Sequence, residues 1–263
     1  MQGRLVPPID DKLQSFPAGS WRAEFSAGSQ AGVGAVEWIY DADDSARNPL
    51  ASDHGVAEIQ ALVRTTRTIV SSICADWFMT HPIVRGDDGI LEWLLDRAAL
   101  VGAGHVVIPF VDDSALSSDD VPRAAEALLR AHPAAERAGV EIHLETSLEP
   151  RLFATLLAEL PENVFRVTYD IGNSASLGHD PREEFAAYGG RIGSVHVKDR
   201  VRGGGSVPLG RGDASLPAVF RELRRSGFDG WFVLQAARGE DGREVEWVAE
   251  QRHVVEQAWE DAG

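Results

Sequence analysis

Four side chains stand at or near the ends of four successive extended runs. Glu145 closes VEIHLE (140–145), Asp170 closes VFRVTYD (164–170), His196 lies in RIGSVHVKD (191–199) and Gln235 closes GWFVLQ (230–235). Two carboxylates, an imidazole and an amide oxygen form a mixed oxygen and nitrogen donor set. Such a set suits one hard or borderline divalent ion, Mn²⁺, Mg²⁺, Co²⁺ or Zn²⁺. Taken singly, an acid after a strand is a turn former or helix cap, and a lone histidine is hydrogen-bonded structure. Four in register are the signal. A divalent ion beside a carboxylate supports removal of a proton next to a carbonyl, the ion polarising the carbonyl and Glu145 taking the proton. Gln235 offers an oxygen to metal or substrate but cannot titrate. Glu145 and Asp170 then balance the ion's two positive charges, leaving it a stronger Lewis acid than a third carboxylate would.

What must position these groups is read from alternation. In 140–145, Val140, Ile142 and Leu144 form one apolar face, so Glu141, His143 and Glu145 share the other. Arg166, Thr168 and Asp170 separate from Phe165, Val167 and Tyr169 in the same way, as do Ser194, His196 and Lys198 from Val195 and Val197. Period-two patterning of this kind describes strands with an apolar side toward helices and a polar side toward a lumen. Strands are expected at 2–6, 35–41, 68–76, 105–112, 140–145, 164–170, 191–199 and 230–235. Helices are expected at 20–32, 53–65, 88–103, 118–138, 148–160, 181–190, 213–226 and 243–260. Eight strand–helix units point to an α/β fold, a single (β/α)8 TIM barrel over 1–263, with the polar groups at the C-terminal rim where such barrels place their sites. No GxGxxG follows the first strand, which sets aside a dinucleotide-binding open sheet.

Composition narrows the partners. The chain has 263 residues, 25 Lys plus Arg against 41 Asp plus Glu, and a formal charge of −16. That field opposes nucleic acid and anionic membranes, so the expected partner is a small molecule. The single cysteine excludes an intrachain disulfide and fits a reducing, cytoplasmic setting. Neither an apolar leader segment nor a run of 18 apolar residues occurs, and a homo-oligomer stays open.

Further rim residues are expected to meet substrate. Lys198, two residues past His196, is either a cation near a developing oxyanion or an ion-pair partner of Asp170 or Asp199. Glu37 and Asp76 end inward sides and suit hydrogen bonds to a substrate as well as structural bonds, with Trp77 beside the latter; Arg4 ends the first strand. The loop VRGGGSVPLGRGD (201–213) is a phosphate cradle, assisted by Arg202, Arg211 or Ser206, or else a hinge; Arg238 is a further phosphate contact or an ion-pair partner of Glu240 or Asp241. Asp199 and Arg200 are expected to face away and pair. His105 is placed at the stability face, His143 beneath Glu145, and Trp38 in the strand–helix core.

The segments MQGRL (1–5), LETSLEP (144–150), YDIGNSASLGHDP (169–181), VHVKDR (195–200) and VPLGRGDASL (207–216) resemble the xylose isomerase-like barrels, in particular sugar phosphate isomerase/epimerase proteins. The resemblance implies a divalent-metal-dependent isomerase or epimerase of a sugar or sugar phosphate. Glu145, Asp170 and His196 match three of that family's four metal ligands. The fourth is usually glutamate and here is Gln235; a histidine common three residues after the aspartate is here Asn173, a substrate-binding position. Two-base epimerisation uses carboxylates on both faces of an enediolate, so Gln235 favours one-base chemistry on Glu145. Two rivals stay open. One is a barrel that has lost catalysis and binds a small polyol or a partner protein. The other is a metal-dependent phosphodiesterase related to DNA-repair endonucleases, which the charge and the scarcity of histidine ligands oppose.

Overall fold

Every strand of the main sheet runs parallel, so each must be followed by a crossover, and the apolar faces noted above are what those crossovers cover. The computed structural model describes residues 1–263 except 10, 11, 13, 44, 87 and 88. Seven strands, β1 (Ala35–Ile39), β2 (Ile69–Cys74), β3 (His105–Phe110), β4 (Glu141–Thr146), β5 (Phe165–Asp170), β6 (Ile192–Val197) and β9 (Trp231–Leu234), pair in the order β1-β2-β3-β4-β5-β6-β9. Between β6 and β9 lies an antiparallel hairpin, β7 (Asp199–Arg200) with β8 (Ser206–Val207).

The expected first strand at 2–6 is not a regular strand. Gly3 takes a left-handed φ of +56°, and a Cβ there would fall 2.8 Å from Ile39 Cδ1, so the chain turns away after two residues. Those two residues still bridge the gap. Gln2 N–H donates to Leu234 O at 3.2 Å and Glu37 N–H to Met1 O at 2.9 Å, leaving a nearly closed barrel.

All eight expected helices form around it: α1 (Trp21–Ala31), α2 (Asp53–Thr66), α4 (Ile90–Val101), α5 (Val121–Ala138), α6 (Pro150–Ala158), α8 (Pro181–Tyr188), α9 (Leu216–Ser226) and α10 (Glu244–Asp261). Pro150 and Pro181 open α6 and α8 at the position where a missing N–H costs nothing. Two short helices lie outside the expected set: α7 (Ile171–Leu177) follows β5 directly, and α3 (Trp77–Thr80) follows β2 after two residues. Phe165, Val195, Ile142 and Leu144 pack outward into the core, and Trp38 lies 5.4 Å from the rings of both Phe16 and Trp21.

The lumen is polar. His105 stacks on His143 with ring centres 3.9 Å apart, and His143 Nδ1 and Thr168 Oγ1 each lie 2.8 Å from Ser194 Oγ. His105 begins β3, at the N-terminal end of the barrel as expected, and packs there against His143. Among the described residues no helix is long and apolar enough to cross a membrane.

Candidate active site

Asp170 and His196 are paired residues of neighbouring strands β5 and β6, which sets their side chains side by side in the lumen. Glu145 enters from β4, and one ligand atom from each of the three lies within 4.8 Å of the others. All three are buried. His196 Nδ1 is 3.3 Å from Glu145 Oε2 and 3.9 Å from Asp170 Oδ2. On the far side of the imidazole, Nε2 is 2.8 Å from Glu37 Oε1, close enough for an ion pair though not aligned as a hydrogen bond.

The strand ends explain the local geometry. Asp170 terminates β5 and its Oδ1 accepts the Asn173 N–H at 2.8 Å, capping α7. That cap fixes one oxygen and leaves Oδ2, which has no hydrogen-bond partner among the described residues but holds the Lys198 ammonium at 2.6 Å. Gly172 makes room for the lysine, since a Cβ there would fall 2.5 Å from Lys198 Cγ. Lys198 Nζ also donates to Gln235 Oε1 at 3.4 Å, and Gln235 Nε2 donates to Gln2 Oε1.

The charge balance favours a cation. Burial pulls the His196 pKa down, but Glu37 and Glu145 outweigh it and raise it to about 10. Burial likewise opposes the charged form of Glu145, yet His196 and then Lys198 hold that carboxyl below its ordinary value. Asp170 is pushed up, by burial first and by the Glu145 charge, against Lys198. At 2.6 Å from an ammonium, Asp170 is read as the carboxylate, and its upward shift reflects two buried negative charges held side by side. An unbonded carboxylate oxygen, an unbonded imidazole nitrogen and a second carboxylate at this separation fit a divalent ion.

Above this floor opens a cavity of about 320 Å³. Of the residues expected at the site, Arg4, Asp76, Glu145, Asn173, Lys198 and Gln235 line it. Asn173 Nδ2 donates to Glu145 Oε1 at 2.8 Å. Asp76 accepts from Gln14 Nε2 at 2.8 Å and from the Cys74 thiol at 3.1 Å. Arg4 donates to the carbonyls of Ala236 and Gln2 and to Gln14 Oε1.

Three expectations change. Glu37 lies behind His196 instead of lining the cavity, because the imidazole stands between. Arg238 is spent on the carbonyls of Gly3 and Val6, holding the N-terminal segment, and does not line the cavity. Arg200 does not face away with Asp199. It lines the cavity and donates to Asn173 Oδ1 at 2.8 Å, while Asp199 accepts the backbone N–H groups of Gly210, Gly212 and Ala214. Continuing the alternation of His196 and Lys198 one step further finds Arg200. From the 201–213 loop, Gly205 and Ser206 reach the cavity; Arg202 and Arg211 do not. Gln14, which seats both Arg4 and Asp76, carried no sequence signal.

A family profile described as xylose isomerase-like TIM barrel matches residues 25–257. An L-ribulose-5-phosphate 3-epimerase, UlaE, of Escherichia coli (strain K12 / DH10B) is 26% identical over 249 residues, covering 87% of this chain and 86% of that protein. Among solved structures, the D-psicose 3-epimerase of Clostridium cellulolyticum H10 with D-tagatose superposes with a TM-score of 0.73 at 13% identity, over 91% of this chain and 93% of that one. A xylose isomerase-like TIM barrel protein of Mycobacterium smegmatis in complex with magnesium gives 0.73 at 19% identity, over 94% and 90%.

Proposed function

The chain belongs to the xylose isomerase-like TIM barrel family, and from that premise we propose that it is a divalent-metal-dependent epimerase or isomerase of a ketose or ketose phosphate. The observation that carries this reading is the convergence of Glu145, Asp170 and His196 on one point beneath the cavity. The sugar epimerases among its relatives support the reaction class.

Glu145, Asp170 and His196 would hold the ion, with the Gln235 amide beside them. When bound, a divalent ion polarises a carbonyl and stabilises an enediolate. The rest falls to the chain's own groups. Glu145 removes the proton next to the carbonyl; its Oε1 is steadied by Asn173, and its low pKa keeps it ionised and ready. Gln235 holds a substrate oxygen without exchanging a proton. Lys198, beside Asp170 and Gln235, places an ammonium where negative charge develops on the substrate oxygens. Arg4 and Arg200 supply the remaining cations at the cavity wall and suit an anionic end of the substrate.

Because Gln235 does not titrate, Glu145 works on one face of the enediolate, which suits isomerisation or an epimerisation whose second proton has another source. The same amide favours a second reading, a barrel that binds a polyol without proton transfer. Incubating the Mn²⁺-loaded protein with L-ribulose 5-phosphate and with free ketoses in D₂O separates the two. Deuterium entering at the carbon next to the carbonyl is expected; no uptake with any ketose, despite binding, would leave the binder.

A further inference from the structure

Arg200, Asn173 and Glu145 form an unbroken line of hydrogen bonds from the β7–β8 hairpin to the floor of the cavity. Arg200 Nη1 donates to Asn173 Oδ1 at 2.8 Å, and Asn173 Nδ2 donates to Glu145 Oε1 at 2.8 Å. The two ends fix the middle. A guanidinium only donates and a carboxylate only accepts, so the Asn173 amide fits between them in one of its two orientations. Without Arg200 the amide oxygen loses its donor, and the Asn173 side chain keeps only its bond to Glu145 to hold it against that carboxylate.

The middle of the line and its hairpin end are themselves held. The Asn173 backbone N–H is bonded to Asp170 Oδ1 at 2.8 Å, so one residue touches two of the three clustered acids and histidine. Arg200 Nε donates to Gly204 O at 2.9 Å inside the hairpin. At the hairpin's base, Asp199 takes three backbone N–H groups at 2.8–3.0 Å from residues 210, 212 and 214. Gly212 is required there, because a Cβ would fall 2.2 Å from Asp199 Oδ1 and 2.6 Å from Arg200 O.

We propose that Arg200 is a positioning residue for Glu145, acting through the Asn173 amide, so that the seating of the β7–β8 hairpin and the orientation of the carboxylate are one variable. The line cannot pass a proton along, since neither an amide nor a guanidinium gives one up at ordinary pH; it orients only. This rests on the reading of Glu145 as a metal-holding base.

Calorimetric titration with Mn²⁺ alone tests it, because the sign is diagnostic. Removing a positive charge near a cation site strengthens cation binding by electrostatics. Loss of a group that orients a ligand weakens it, commonly 10–100-fold. Arg200→Met keeps the length and removes the donors, and is expected to weaken Mn²⁺ at least about tenfold. Arg200→Lys, still a pure donor, should recover part of that loss. In an Asn173→Ala background, Arg200→Met should weaken binding no further. Affinity equal to or tighter than wild type in Arg200→Met, or additive losses in the double variant, would overturn the line. A wild type that binds no Mn²⁺ counts against the proposed function; the line is then judged by the crystal structure of Arg200→Met. A turned Asn173 amide or displaced Glu145 carboxylate upholds it, and unmoved side chains overturn it.

Discussion

Glu37 Oε1 lies 2.8 Å from His196 Nε2, both side chains wholly out of solvent beneath the cavity. The other Glu37 oxygen accepts from Ser72 Oγ at 2.7 Å, so the carboxylate is braced from β2 while it backs an imidazole on β6. The ion pair draws the Nε2 edge of the ring toward Glu37 and leaves Nδ1 directed at the Glu145 and Asp170 oxygens.

Glu37→Gln is therefore expected to lower Mn²⁺ affinity about 10–100-fold although residue 37 touches no ion. The amide is the variant of choice. Glu37→Ala takes a partner from the buried His196 ring and from Ser72 Oγ at once and leaves a void behind them, which threatens the fold itself. Calorimetry beside thermal unfolding reads both effects. Wild-type affinity in a folded Glu37→Gln protein would make Glu37 a structural group only.

Glu145→Gln should abolish deuterium exchange at the substrate carbon, lowering turnover by about 10²–10⁴. The fold should survive, because the new amide oxygen still accepts from Asn173 Nδ2. Exchange that persists in this variant, with Mn²⁺ bound, would assign the base elsewhere.

How far the sequence carried the reading depended on whether a feature was local. Period-two alternation located β4, β5, β6 and β9 and placed Glu145, Asp170, His196 and Lys198 on their inner faces, since facing is decided within each strand. The start of α8 at Pro181 agrees with the expected 181–190, whereas α6 opens at Pro150, two residues inside the expected 148–160. The first strand was misread because the left-handed Gly3 breaks a segment whose composition is otherwise strand-like. Glu37 behind His196 and Asn173 against Glu145 join distant parts of the chain, and no spacing reports them. Arg200 continues the alternation of His196 and Lys198, and the local pairing expected of it with Asp199 does not form because three loop N–H groups take up the Asp199 carboxylate.

Gln235→Glu should tighten Mn²⁺, because a carboxylate adds a full negative charge where the amide has a dipole. The site can receive it. Lys198 Nζ is already 3.4 Å from Gln235 Oε1, and Gln2 Nε2 is buried with no hydrogen-bond partner among the described residues, so turning the Gln2 amide gives the new carboxylate a donor. The same change supplies a titratable group away from Glu145, and the stereochemistry of exchange should then show protonation on both faces of the enediolate. Level or weaker Mn²⁺ binding would mean that position 235 lies outside the ion's reach.

Asp76 yields a prediction about stability that needs no metal or substrate. Its carboxyl keeps some contact with the cavity, yet burial, the largest influence, raises its pKa from 3.8 to about 6; hydrogen bonds from Gln14 and Cys74 pull it down, and the Glu145 and Glu37 charges push it up. Arg4, seated on Gln14, is the nearby cation. The native state thus binds this proton more tightly than the unfolded chain does. The resulting stabilisation is full below about pH 4 and is lost as pH rises through about 6, where the native protein must hold a poorly solvated charge. Asp76→Asn removes the charge and keeps an acceptor for Gln14. Relative to wild type, the variant should gain up to about 2 kcal/mol between pH 4.5 and pH 7.5, less what solvent screening at the cavity removes. Urea unfolding of both proteins at the two pH values measures the difference. No gain would mean that Asp76 titrates in the folded protein as it does in the unfolded chain, with Gln14 and Cys74 fully offsetting its burial; a loss would mean that those hydrogen bonds hold its carboxyl below the unfolded value.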